Sequence, residues 1–257
     1  MLRSMNTAPH HIAIVTGASR GLGQAIAEQL LAATGTRLLT ISRQPKQPSA
    51  AGSSTHEAWS ADLADPVPLA GRLETWLREA VAAAPQAAVS MIHNAALLSP
   101  PGWLAASDAS DLSASMRVNL EAPLVLSAAF ARGSGKAGGA RKLLLISSGL
   151  GRRAMAGAVA YCAAKAGMDH LARALALEEA QAPNGIRVVS LAPGVIATDM
   201  QVQLRSADPT LFPEKHRFAG LHASGALDTP DTAAAKVLRV LMREDFGSNT
   251  VTDVRDA

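Results

Sequence analysis

The sequence predicts an α/β protein: a single domain built on a doubly wound parallel sheet with helices on both faces. Three observations point there. Short apolar runs alternate with segments of helical periodicity along nearly the whole chain, a glycine-rich turn joins the first strand to the first helix, and no linker or composition shift divides the 257 residues. Parallel neighbours need a crossover long enough to hold a helix, so such alternation reads as a sheet covered on both sides.

The run HIAIVT (His11–Thr16) is a β-branched strand closed by Gly17, and over 22–33 Leu22, Ile26, Leu30 and Ala33 recur at helical spacing. LLTIS at 38–42 reads as the second strand and the Pro-, Ser- and Gln-rich 44–54 as a surface connection. A third strand is expected at 57–60, ending at Asp62, then a helix over 67–84 stopped by Pro85. AVSMIH (Ala88–His93) is a buried strand leading into Asn94. Helical stretches follow near Trp103 and over 112–131, then a strand at 141–147, a long helix at 159–181 and a strand at 186–191. The long stretch 199–227 carries Met200, Leu204, Leu211, Phe212 and Phe218, and connections of this length are often lids. With Leu97, Leu98, Trp103 and Met155 it is expected to line an apolar pocket.

Composition narrows the class. Hydrophobic residues make up 48% and the net charge is only +3, with basic residues scattered, so neither nucleic acid nor a membrane surface is an expected partner. The one cysteine, Cys162, excludes an internal disulfide and a multi-cysteine metal site, and no metal is expected. Residues 1–10 have Arg3 but no apolar run behind it, so they read as a flexible tail and not a signal peptide, with 11–257 as the folded domain. No apolar run is long enough to span a bilayer, and a soluble, cytoplasmic protein is expected.

TGASRGLG at 16–23 lies between the first strand and the first helix. Glycines there allow a tight turn and let a pyrophosphate approach the helix N-terminus, which assigns Gly17, Ser19, Arg20, Gly21, Leu22 and Gly23 to a dinucleotide. The end of the second strand offers Ser42 and Arg43 where an NAD site would place an acid. With Arg20 available as a second guanidinium, the cofactor expected is NADP(H).

Ser148 follows an apolar strand at the sheet edge where ligands bind, and Tyr161 and Lys165 sit one turn apart on one helix face. A free phenol has a pKa of about 10, too high for efficient proton exchange near neutrality. A cation about 4 Å away at an effective dielectric of about 20 supplies about 4 kcal/mol, or about three pKa units. One well-placed lysine is therefore expected to make Tyr161 a usable acid.

These residues resemble the short-chain dehydrogenase/reductase family from Ile12 to about Asp253. The matching segments are TGASRGLG, Asp62-Leu63, HNAA at 93–96, Asn119 in RVNL, ISS at 146–148, YCAAK at 161–165 and PGVIAT at 193–198. The resemblance implies a seven-stranded Rossmann-type sheet, with Tyr161 as general acid, Lys165 on the nicotinamide ribose and Ser148 polarising a carbonyl. It implies that Asn119 holds a helix kink and a relay water, that Asp62 and Leu63 meet the adenine, and that Asn94 and Ala95 lie beside the adenosine ribose. Pro193, Gly194, Val195 and Thr198 would border the carboxamide, and a homodimer or homotetramer is implied.

The family's N-N-A-G is here His93-Asn94-Ala95-Ala96, and the glycine-rich end of the last strand is replaced by VTDVRD at 251–256. His93 is expected to be a loop residue. MIHNAALLSP at 91–100, PGVIATDMQVQLR at 193–205 and the ending from Arg243 resemble sepiapterin reductases and benzil reductases. In the former an aspartate near the C-terminus anchors the pterin amino group, and by spacing Asp253 matches it, beside Ser148, Met155 and Tyr161 as substrate contacts.

The expected function is an NADPH-dependent reductase of a small ketone or 1,2-dicarbonyl. A 3-oxoacyl or sugar reductase, or a non-catalytic NADP(H)-binding sensor, stays open. GSGKAGG at 133–139 is not a phosphate loop, because Ala137 follows Lys136 and a strand comes next. Cys162 has no paired base and reads as a packing residue.

Overall fold

The computed structural model describes residues 9–48 and 52–256, so most of the expected tail, 1–8, and part of the expected 44–54 connection, 49–51, lie outside the described residues. The strands are β1 (His11–Thr16), β2 (Thr36–Ser42), β3 (Thr55–Ser60), β4 (Ala88–His93), β5 (Arg141–Ile146), β6 (Arg187–Ala192) and β7 (Val251–Asp253). They form one seven-stranded parallel sheet in the order β3-β2-β1-β4-β5-β6-β7. His10 already joins it, its N–H donating to the Gly35 carbonyl at 3.1 Å and its carbonyl accepting from Ala88 N at 2.9 Å.

The helices are α1 (Gly21–Ala32), α2 (Pro66–Ala83), α3 (Ala109–Met116), α4 (Ala122–Gly133), α5 (Val159–Glu179), α6 (Asp199–Ser206), α7 (Lys215–Ala223) and α8 (Pro230–Met242). Strand side chains alternate between faces, so each apolar run feeds two cores. Ile12, Ile14, Leu143 and Leu145 pack beneath α2, α4 and α5, whereas Ala13, Val15, Leu144 and Ile146 pack beneath α1 and α8.

Two expectations are corrected. The helix over 112–131 is α3 and α4 separated by a π-helical turn, Arg117–Glu121. Pro123 has no N–H to donate to the Asn119 carbonyl four residues back, which removes an α-helical bond where the helix widens. Near Trp103 there is only a 3₁₀ turn, Leu104–Ala106, following the helix-breaking Pro100-Pro101-Gly102. The 199–227 connection holds two helices, α6 and α7.

Far from the site, Arg141 opens β5 and is buried, donating to the Asn184 and Ala131 carbonyls at 2.9 and 2.8 Å and to Ser134 Oγ at 3.1 Å. Removing it strands three acceptors and the nearby Glu179 carboxylate, 3.6 Å away. Arg141→Met is expected to lower unfolding stability by about 2–4 kcal/mol, read from urea melts. Activity below the melting range should be unchanged.

Candidate active site

The sheet order reverses between β1 and β4, and the crevice at the carboxyl ends of these strands is where open α/β sheets bind ligands. Gly17 turns with φ +69°, and a Cβ there would lie 2.7 Å from Ala95 Cα. A Cβ on Gly23 would lie 2.3 Å from Asn94 Nδ2. That amide donates to the Thr16 and Gly17 carbonyls at 3.1 Å each, and Thr16 Oγ1 accepts from Asn94 N and Ala95 N at 3.1 and 3.2 Å. So Asn94 clamps the turn. Among the described residues no non-glycine has a positive φ, so Ala96 replaces the family's glycine without backbone strain.

Helix α1 starts with no side-chain cap and no acid in its first turn, leaving its free N–H groups to face a cleft of about 1670 Å³. A cradle that excludes Cβ atoms, backed by an uncapped helix N-terminus, fits a dinucleotide pyrophosphate. At one end of the cleft lie Arg43, Lys46, Asp62 and Leu63, with Arg43 exposed. Arg20 instead forms an ion pair with Asp199 at the start of α6, both side chains about 70% exposed (70% and 71%). Val195 to Thr198 line the same cleft, and Val195 O accepts from Asp228 N at 2.9 Å.

Ser148, Tyr161 and Lys165 meet at the carboxyl end of β5. Ser148 caps the short turn Gly149–Gly151, its Oγ accepting from Leu150 N at 3.2 Å. Lys165 is buried, with Nζ 5.6 Å from the Tyr161 ring centre and donating to the Ile146 carbonyl at 2.7 Å. The expected acidification of the phenol is corrected. Burial pushes Tyr161 up to about 12, and the influence of the nearby Ser148 hydroxyl offsets only part of this. Burial likewise brings Lys165 down to about 8, against the opposing pull of Asp169.

Asn119 lies in the π turn with its side chain spent on the loop after β4: Oδ1 accepts from Leu97 N at 2.9 Å, and Nδ2 donates to Leu97 O at 2.6 Å and Ser115 Oγ at 3.0 Å. His93 is not a loop residue. It ends β4 fully buried, 3.1 Å from Ser127 Oγ, and burial pushes it down to about 3, so it is neutral.

Leu97, Leu98, Met155, Met200, Leu204 and Phe218 do line the cleft. Phe212 instead stacks on Phe218 at 5.8 Å beneath Gly157, and Leu211 and Trp103 are exposed outside it. Asp253 borders the cleft, but Arg255 takes both its oxygens, from Nε at 2.7 Å and Nη2 at 2.6 Å.

With this geometry in place, the comparisons with known proteins agree on its family. The short chain dehydrogenase profile matches residues 11–209. The chain belongs to the short-chain dehydrogenase family. It is 31% identical to a benzil reductase ((S)-benzoin forming) of Bacillus cereus over 93% of this chain and 96% of that one. It is also 31% identical to sepiapterin reductase of Mus musculus, over 95% and 97%. Among solved structures, the KRED1-Pglu enzyme superposes with a TM-score of 0.75 at 26% identity, over 94% of this chain and 99% of that one. Among the described residues of this short-chain dehydrogenase, no helix is long and apolar enough to cross a membrane.

Sequence reasoning missed Asp169 and Arg152, which join the site through Ser147 and Lys165. The signal was there: Tyr161, Lys165 and Asp169 are spaced by four along one helix face.

The folded lysine binds its proton less tightly than an unfolded one, whose pKa is 10.5. Between about pH 8 and 10.5 the unfolded chain holds the extra proton, so stability gained from this group rises with pH. Relative to Lys165→Met, the parent is expected to gain up to about 3 kcal/mol across that window, measured by urea melts at pH 7 and pH 10.

Proposed function

We propose that this chain is an NADPH-dependent carbonyl reductase acting on a ketone or 1,2-dicarbonyl, with Tyr161 as general acid. The observation that carries the reading is that Ser148, Tyr161 and the buried Lys165 line the same cleft as the glycine turn, with Lys165 Nζ 5.6 Å from the Tyr161 ring centre. When bound, the reduced nicotinamide supplies the hydride. Ser148 donates to the substrate carbonyl oxygen and orients it. Tyr161, protonated at neutral pH, gives its proton to that oxygen as charge develops there. Lys165, charged below about pH 8, stabilises the phenolate left behind. The apolar walls from Leu98, Met155, Leu204 and Phe218 exclude water from the exchange.

NADPH is preferred because no acid stands at the end of β2, where Arg43 and Lys46 face the adenosine end of the cleft. A benzil-like substrate suits the site better than a pterin. Benzil and sepiapterin reductases are relatives at the same 31% identity, and the difference is Asp253, which would hold a pterin amino group and is instead paired with Arg255.

The test is NADPH consumption with benzil, sepiapterin and an acetoacetyl thioester, run on the parent and Tyr161→Phe. Benzil is expected to turn over fastest, and Tyr161→Phe to lose at least about 100-fold in kcat; equal turnover by both would remove the acid assignment. Because Lys165 and not Tyr161 titrates within the working range, kcat for reduction should fall as pH rises through about 8. Arg43→Ala should raise KM for NADPH by about tenfold, equivalent to about 1.4 kcal/mol, and leave KM for NADH nearly unchanged.

A further inference from the structure

We propose that Asp169 is the positioning residue of this site, locking the Ser148 turn, the Lys165 helix and strand β6 into one arrangement. The proposal rests on the reading of Ser148, Tyr161 and Lys165 given above. Asp169 is 1% exposed, one turn beyond Lys165 on α5. Its Oδ1 accepts from Ser147 Oγ at the exit of β5 and from Ser190 Oγ in β6, both at 2.6 Å. Its Oδ2 accepts from Arg152 Nε at 3.2 Å, and Arg152 Nη2 donates to Thr252 O in β7 at 2.9 Å. One carboxylate thus joins three strands, a helix and the turn that Ser148 caps.

The approach is close enough to dictate a glycine. A Cβ on Gly151 would lie 2.8 Å from Asp169 Oδ2 and 2.9 Å from the Lys165 carbonyl. The serine hydrogen bonds alone do not require a charge, since a neutral amide oxygen accepts them as well. A buried carboxylate is costly unless it is paired, and the groups around it supply the reason for keeping it. His93 from β4 is neutral, Tyr161 on the same helix is neutral, and Asp253 from β7 is tied to Arg255. Arg152 is cationic. Asp169 lies one turn beyond Lys165 on α5, and its influence opposes the burial that strips the ammonium of its proton.

Two substitutions push in opposite directions. Asp169→Asn keeps an acceptor for both serines and loses the charge, while Arg152→Gln leaves the carboxylate without its competing cation. The protein is labelled with 13Cε-lysine, the Lys165 signal is assigned by its loss in Lys165→Met, and its titration is followed by NMR. The expected midpoint moves down by about one unit or more in Asp169→Asn and up in Arg152→Gln. With benzil and NADPH, the alkaline fall in kcat should move with the midpoint, so that Asp169→Asn recovers activity as pH is lowered. Ser190→Ala, which removes one hydrogen bond and no charge, should lower stability and leave the midpoint in place. Unmoved midpoints in both charge variants, or a failure of Asp169→Asn to fold together with an unmoved Arg152→Gln, would overturn the proposal. A shifted midpoint with no turnover of benzil by the parent would uphold Asp169 and count against the substrate reading alone.

Discussion

A buried ammonium is the constraint on which the rest of this site depends. Lys165 is 1% exposed, and a charge taken out of water costs several kcal/mol unless its surroundings replace the lost hydration. The fold replaces it in two ways. The last carbonyl of β5, at Ile146, receives the ammonium at 2.7 Å, and Asp169 adds a negative charge one turn along α5. Both depend on α5 crossing the carboxyl end of β5 at one height and rotation, which the apolar packing of Met168 and Ala172 sets. Core packing therefore decides where the cation sits, with Met168 Sδ itself 3.9 Å from the ammonium.

The same burial acts on the phenol with the opposite chemical result. Desolvation disfavours whichever form is charged, so it raises Tyr161 to about 12 and lowers Lys165 to about 8. Left to itself the pair is too weak an acid next to too weak a cation. For reduction this is less of a handicap than for oxidation, because a proton donor has to start protonated and the developing alkoxide is a far stronger base than a phenolate. The nearby Ser148 hydroxyl offsets part of the rise in the phenol.

Much of this was legible in one dimension, and the exceptions have physical causes. The expected and observed bounds of β4 coincide because an apolar run is fenced by Pro85 and Asn94. Tyr161 and Lys165 stood out because helical spacing alone brings them together. Asp169 continues that stripe, but two of its partners, Ser147 and Ser190, come from separate strands and become neighbours only through sheet register. Helix α7 mixes Lys, His and Arg around the buried Phe218 and so has no apolar stripe to read. Asp253 was found as an acid at the right place, yet the turn that folds Arg255 back onto it is a tertiary detail.

Arg20 illustrates how far an observed pair should revise an expectation. Read from the glycine turn it belonged to a phosphate, and in the fold it reaches a carboxylate 179 residues away in sequence. With both side chains about 70% exposed (70% and 71%), that pair is of the kind that contributes about 1 kcal/mol or less and weakens further with salt. A phosphate in the cleft offers a dianion with several acceptor oxygens, enough to share the guanidinium or draw it away from Asp199 at small cost. Arg43 has no such competitor among the described residues and no exchange to make. In the proposed NADPH reading, discrimination between the two dinucleotides rests on Arg43, with Arg20 contributing only what remains after Asp199 has been displaced.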